Sequence, residues 1–261
     1  MSRAVERLSV KSRALDAVLP CTVVLPEGRA PTAVLYLLHG GYSHHAEWAE
    51  RMDLAAMLAG WPLAIALPEG GFSLWISGHD GRDFSRYAAF DVPLAVETHL
   101  GLRLGRNARA VAGLSMGGFG AFHLGLAYPE RYGAVGSLSG AFGMTEWQLG
   151  LAEGSPFLSA LGPKGSPTRT AENPLVALAA AVLRVGTAAL PPFWLCTGTE
   201  DDADVTLAHR TLHAALEKEG VAHTYLETPG GHDWDFWRRE TPALLDFVAS
   251  ALGLSRDAGS R

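Results

Sequence analysis

The stretch Val111-Ala112-Gly113-Leu114-Ser115-Met116-Gly117-Gly118 limits what this chain can fold into more than any other segment. Residues 109–114 are apolar and β-permissive, and residues 117–126 suit a helix until Pro129 stops it. A strand therefore turns sharply into a helix at Ser115. Gly113-Leu114-Ser115-Met116-Gly117 has the Gly-x-Ser-x-Gly spacing of a nucleophile elbow. The spacing is steric in origin. A serine on so tight a turn has its hydroxyl pushed above the sheet edge, and side chains two residues to either side would strike neighbouring backbone. The Met116 N–H then lies at the start of the new helix, where an oxyanion is stabilised. The plainer alternative is a Gly-rich turn whose serine only caps the helix.

Around this centre the chain alternates strands and helices. Residues 5–14 and 18–25 read as an antiparallel pair ended by Pro26-Glu27-Gly28. Residues 32–38 and 63–67 are apolar runs of the kind buried on both faces of a sheet. Between them, Trp48, Met52, Ala55 and Ala59 fall at helical spacing. Residues 68–88 are irregular and rich in glycine and aromatics, and Asp91 is positioned to cap a helix to residue 100. Further strands are expected at 134–138, 193–196 and 223–227. Helices are expected at 175–183, 204–219 and after Thr241, with Pro242 in the first turn. The expected fold is α/β: an α/β-hydrolase fold with a mostly parallel central sheet and helices on both faces. Residues 1–261 read as a single domain, with an insertion or partial cap at 141–192, where glycine, proline and alanine break the rhythm.

Composition narrows the function. The formal net charge of −6 and the lack of any Lys/Arg run argue against nucleic acid or an anionic membrane as partner. The only two cysteines, Cys21 and Cys196, sit in apolar strand-like runs and read as buried free thiols. The first sixteen residues lack an apolar signal-peptide core, and no run is long enough to span a membrane, so the expected location is cytoplasmic. A homo-oligomer is compatible with the sequence.

A serine hydroxyl needs a base to take its proton, and that base needs an acid to fix its tautomer. Downstream of Ser115 come an acidic loop at Glu200-Asp201-Asp202 and then His232 in a Gly-rich loop. Nucleophile, acid, base is the α/β-hydrolase order. Of the ten histidines, His232 alone follows the last strand in such a loop. His39 precedes the Gly40-Gly41 turn and reads as a loop former. His44 and His45 are adjacent on a loop, and His99, His123, His209, His213 and His223 fall on helices or a strand. The acidic run lacks the glycine and distal glutamate of a calcium loop, and no Cys/His zinc spacing is present, so neither metal nor cofactor is expected. The second oxyanion donor should come from the loop after residues 32–38, with the Gly41 N–H first and Tyr42 next. Tyr42, Trp75, His79, Trp147 and Trp234 are candidate substrate contacts.

These residues together resemble the putative esterase family, which includes esterase D (S-formylglutathione hydrolase), small bacterial acetyl esterases, feruloyl esterases and the antigen 85 mycolyltransferases. The resemblance rests on Leu37-Leu38-His39-Gly40-Gly41 with Trp48, on Gly113 through Gly118, on Gly198-Thr199-Glu200-Asp201, and on Gly230-Gly231-His232-Asp233-Trp234-Asp235-Phe236-Trp237. Ala171-Glu172-Asn173-Pro174 is similar to that family's Asn-containing turn before a helix. Nearly the whole chain is covered, from about residue 13 to 252. The resemblance implies a triad of Ser115, Asp201 and His232, with oxyanion N–H groups from Gly41 and Met116. It selects Asp201 from the three consecutive acids. Residues 73–88 match only loosely. S-formylglutathione hydrolases of the family usually follow the histidine with Ser-Tyr-Tyr. Here Asp233-Trp234-Asp235-Phe236-Trp237 points to the general esterase or feruloyl-esterase branch.

The expected activity is a serine carboxylesterase for small-molecule esters with short or aromatic acyl groups, working through an acyl-enzyme. The rivals are thioester hydrolysis or acyl transfer on the same triad and, outside enzymes, a non-catalytic binding protein on a hydrolase scaffold.

Overall fold

The structure is a computed structural model that describes residues 4–144 and 154–256. Strands β1 (Val5–Ser12) and β2 (Ala17–Val24) form an antiparallel hairpin, and β3 (Ala33–Leu38) begins the parallel part. Helices α1 (Glu47–Arg51) and α2 (Leu54–Met57) lead to β4 (Leu63–Pro68). The spacing of Trp48, Met52, Ala55 and Ala59 predicts one helix, but the chain breaks at Met52. Asp53 there caps the second piece by accepting from the Ala56 N–H at 3.0 Å.

A short helix α3 (Phe84–Arg86) winds through a wider turn, Tyr87–Asp91, into α4 (Val92–His99). Asp91 therefore caps nothing. Its carboxylate accepts from Ser12 Oγ at 2.6 Å and from the Arg13 and Ala14 N–H groups at 2.9 and 3.1 Å. A long-range anchor for the β1–β2 turn has displaced the local cap.

Next come β5 (Arg109–Leu114), α5 (Met116–Ala127) and β6 (Ala134–Leu138). In the segment expected to be an insertion or cap lie α6 (Leu158–Leu161), α7 (Pro167–Ala171) and α8 (Pro174–Val185). Asn173 caps α8, which packs on α5. The chain ends with β7 (Phe193–Gly198), α9 (Ala203–Glu219), β8 (His223–Thr228) and α10 (Trp234–Ala251).

The strands form one eight-stranded sheet in the order β1-β2-β4-β3-β5-β6-β7-β8. β1, β2 and β4 pair antiparallel, and every later neighbour is parallel. β5 thus lies in the middle, and all its residues but the first are buried. Alternate strand residues feed two cores. Val34, Tyr36, Val111 and Val135 face α4, α5, α8 and α9, whereas Leu35, Ile65, Ala112 and Trp194 face α1, α2 and α10. Helices on both faces of a mostly parallel sheet make this the α/β-hydrolase fold, and they leave the C-terminal strand ends as the open edge.

The last helix corrects a second expectation. Thr241 and Pro242 look like a helix start, but α10 begins eight residues earlier. Asp233 accepts there from the Asp235 and Phe236 N–H groups at 3.0 and 2.9 Å. Pro242 lies inside the helix, and the buried Thr241 hydroxyl donates back to the Trp237 carbonyl at 2.6 Å. The consequence is functional. Trp234 and Trp237 stand on the first turn of a helix, immediately after His232.

Candidate active site

β5 delivers Ser115 to the open edge with φ 52° and ψ −117°, a conformation costly for any residue with a Cβ. Its backbone is held from both sides. The Ser115 N–H donates to the Leu138 carbonyl at 2.9 Å, and its carbonyl accepts from the Phe119 and Ala141 N–H groups at 3.0 Å each. The glycines on either side are required. A Cβ on Gly113 would overlap the Gly117 backbone, and one on Gly117 would overlap the Leu38 carbonyl.

Ser115 Oγ lies 2.9 Å from His232 Nε2, and His232 Nδ1 lies 2.9 Å from Asp201 Oδ1. The carboxylate only accepts, so Nδ1 carries the proton. Nε2 of the neutral ring is then the acceptor for the serine hydroxyl. The loops that carry the acid and the base are zipped together. The Thr199 N–H donates to the Thr228 carbonyl at 2.8 Å and the Glu200 N–H to the Gly230 carbonyl at 2.9 Å. A Cβ on Gly198 would overlap that same Gly230 carbonyl.

Of the consecutive acids, Asp201 has a fully buried side chain, while Glu200 and Asp202 are exposed. Burial alone would raise the Asp201 pKa. The His232 hydrogen bond, the nearby Ser139 hydroxyl, the His232 charge and the Asp202 N–H at 2.8 Å outweigh it and hold the carboxyl below its ordinary value. Asp201 Oδ2 and Ser139 Oγ are both buried, and neither has a hydrogen-bond partner among the described residues.

A cleft of about 820 Å³ opens over this group. Gly41 and Met116 line it, and neither backbone N–H has a protein acceptor among the described residues. Tyr42 is 79% exposed at the rim, with its ring edge-on to Phe72 and Phe157 at 4.9 and 6.0 Å. Trp234 lines the opposite side, edge-on to Trp48 and Trp237 at 5.4 and 5.3 Å, and Trp237 stands edge-on to His232 at 5.1 Å. Among the described residues, Glu47 and His232 are the only ionisable lining side chains apart from the Tyr42 phenol, and Glu47 is paired with Arg51 at 3.2 Å.

Two candidate contacts lie elsewhere. Trp75 is completely buried beneath the loop, its indole N–H donating to the His39 carbonyl at 3.3 Å and its ring filling the space beside Gly70 and Gly120. His79 is exposed beside Gly162 and does not line the cleft. Trp147 lies outside the described residues. Phe157, Met144 and Trp237 line the cleft without having been named as candidate substrate contacts. Phe157 and Met144 come from a segment without periodicity, so no pattern marked them. Trp237 carried a signal, three residues after Trp234, but its face depends on where α10 starts.

Among the described residues, no group of three or more His, Cys, Asp or Glu side chains is placed to hold a metal ion. No helix of the described residues is long and apolar enough to cross a membrane.

Comparison with known proteins fits this geometry. The family model described as "Putative esterase" matches residues 12–247. The chain is 24% identical over 225 residues to an acetyl esterase of Caldicellulosiruptor saccharolyticus, a match covering 82% of each protein. A fluorophosphonate-binding serine hydrolase of Staphylococcus aureus superposes with a TM-score of 0.82 at 20% identity, covering 94% of this chain and 98% of that one. A ferulic acid esterase superposes with a TM-score of 0.79 at 25% identity, covering 95% and 98%. With the family model spanning most of the sequence, the chain belongs to the putative esterase family and is an ester hydrolase of the α/β-hydrolase fold.

Proposed function

We propose that the protein is a serine carboxylesterase for short-chain or aromatic acyl esters, with Ser115 as nucleophile, His232 as base and Asp201 as its acid. The observation that carries this reading is the unbroken chain Ser115 Oγ–His232 Nε2 and His232 Nδ1–Asp201 Oδ1, 2.9 Å at each link, in an open cleft. His232 takes the hydroxyl proton as Ser115 Oγ bonds to the ester carbonyl carbon. The carbonyl oxygen becomes an oxyanion and is held by the Gly41 and Met116 N–H groups. On collapse the bond to the alcohol oxygen breaks, and His232 Nε2 returns the proton to that oxygen. A water, deprotonated by the same nitrogen, then attacks the acyl-serine. The acid leaves and the proton returns to Ser115 Oγ. Asp201 stays ionised throughout and stabilises the imidazolium of each transition state.

The cleft supports this substrate class. Its walls are aromatic, and they suit a flat or small acyl group. The lack of any lining Lys or Arg among the described residues, together with the Glu47 carboxylate, disfavours a leaving group with several carboxylates such as glutathione. The names of the acetyl esterase and the ferulic acid esterase accord with both acyl types. Cys21 and Cys196 are buried free thiols, which supports a cytoplasmic location. Labelling with a fluorophosphonate tests the reading. The wild type should label once, at Ser115, and hydrolyse p-nitrophenyl acetate. Ser115→Ala should lose labelling and about 10⁴–10⁶ of kcat, and hydrolysis within tenfold of wild type would refute the nucleophile.

A further inference from the structure

We infer that His39 is a positioning residue that locks the Gly40–Gly41 peptide so that its N–H faces the reacting carbonyl. The inference rests on the esterase reading above and concerns a side chain that does not itself touch the substrate.

Glycine lets the oxyanion loop pass close to its neighbours. A Cβ on Gly40 would lie 2.6 Å from Leu114 Cδ1, and one on Gly41 would lie 2.7 Å from Phe157 Cζ. Two consecutive glycines create a hazard, however. A peptide between residues that lack Cβ atoms can rotate with little steric resistance. A half-turn would replace the Gly41 N–H with the Gly40 carbonyl and point an acceptor at the developing oxyanion. In a planar trans peptide the C=O and the following N–H point in opposite directions, so fixing one fixes the other.

His39 fixes the carbonyl. The ring is buried at 1% exposure, and Nδ1 lies 2.8 Å from the Gly40 carbonyl oxygen. That oxygen only accepts, so Nδ1 is the donor, and Nε2 of the neutral ring is left to accept. The other nitrogen is also committed, since Nε2 accepts the Gly70 N–H at 2.9 Å. Gly70 belongs to the loop after β4, and Glu69 of that loop shares the Gly70 N–H with the ring. Glu69 Oε1 lies 3.4 Å from Nε2 and accepts the Gly70 and Gly71 N–H groups at 3.1 and 2.9 Å, and Oε2 accepts the His45 N–H at 3.1 Å. Trp75 meets the ring edge-on at 5.1 Å and donates to the His39 carbonyl. The imidazole is thereby held at both nitrogens and by an edge-on ring contact, and the His39 main chain is held at its carbonyl. Its one bond toward the site goes to the peptide that must not rotate.

The test compares wild type with His39→Leu, which removes the donor, and His39→Asn, whose amide N–H can replace Nδ1. Gly70 keeps Glu69 as acceptor in both variants. kcat and KM are measured on p-nitrophenyl acetate, and Ki for an aryl trifluoromethyl ketone, whose serine adduct carries an oxyanion. His39→Leu should lose about 10–10² in kcat, somewhat less than outright removal of an oxyanion donor. KM should stay within threefold, and Ki should rise by the same factor as kcat/KM falls. His39→Asn should recover most of the loss. A His39→Leu kcat within threefold of wild type, a Ki that does not track kcat/KM, or a folded His39→Asn no better than His39→Leu would each overturn the lock. If His39→Leu does not fold, the wild-type histidine ¹⁵N spectrum decides, because the lock needs the Nδ1–H tautomer at neutral pH and the Nε2–H tautomer overturns it. Ser115→Ala run in parallel separates the two readings. If it keeps activity the esterase reading falls, and if it is inactive while His39→Leu is unimpaired only the lock falls.

Discussion

On the floor of the cleft, Ser115, His232 and Asp201 are linked by side-chain hydrogen bonds and carried on loops tied by backbone hydrogen bonds, with glycines where a Cβ would strike backbone. On its walls, Tyr42, Phe157, Trp234 and Trp237 are held by edge-on ring contacts, on a loop, an irregular segment and a helix turn. Directional bonds and backbone sterics admit one arrangement, whereas ring packing admits several of similar energy. The floor is therefore built to fix a reaction, and the walls to be adjusted to a substrate.

The largest effect that would break this comparison lies on the floor. Asp201→Asn keeps the shape but favours the wrong imidazole tautomer, and kcat should fall about 10⁴-fold, as in the serine-protease precedent. Asp202→Asn and Glu200→Gln, both at exposed positions, should stay within about threefold. Steady-state kinetics on p-nitrophenyl acetate checks all three, and a crippled Asp202→Asn beside a mild Asp201→Asn would mean that the acid is assigned to the wrong residue. The wall should respond more gently and more selectively. Trp234→Ala removes a partly buried ring from between Trp48 and Trp237. It should cost about 10–100-fold in kcat/KM for an aromatic acyl ester and less than about threefold for the acetyl ester. An equal loss on both substrates would show that the wall supports the floor and does not select the acyl group.

The smallest effect is one of pH. Burial would raise the Glu69 carboxyl, but the Gly71 and His45 N–H groups that donate to it help hold it below its ordinary value. A carboxylate with a depressed pKa stabilises the fold above its ordinary value, 4.5 here, and that contribution fades as pH falls below it. Urea unfolding of Glu69→Gln should accordingly show a shallower loss of stability than wild type below pH 4.5. Parallel curves would mean that Glu69 is not linked to folding.

Much of the floor was legible in the sequence, because sterics dictates residue type at a strained turn and Gly113, Ser115 and Gly117 can be read from that requirement alone. The acid and base loops follow strands whose apolar runs are plain, so the chain order of Ser115, Asp201 and His232 was readable as well. The walls were not. Trp75 and Trp234 are both aromatics near glycines, and only three-dimensional packing sends one into the core and the other to the cleft. Helix starts misled where two signals competed: Asp233 won over Thr241, and the hairpin turn took Asp91 from its helix. For Asp91 a contact far away in sequence decided the outcome, and for α10 an earlier local cap did.

The backbone of Ser115 has a consequence for how such a sequence drifts. Its positive φ suits glycine and costs serine on the order of 1–3 kcal/mol, a sizeable share of a domain's net stability. A population selected only for staying folded would accumulate glycine at position 115, and with it a sturdier protein lacking the proposed nucleophile. On the proposed role of Ser115, the residue marks the point where durability and chemistry make opposite demands on one position.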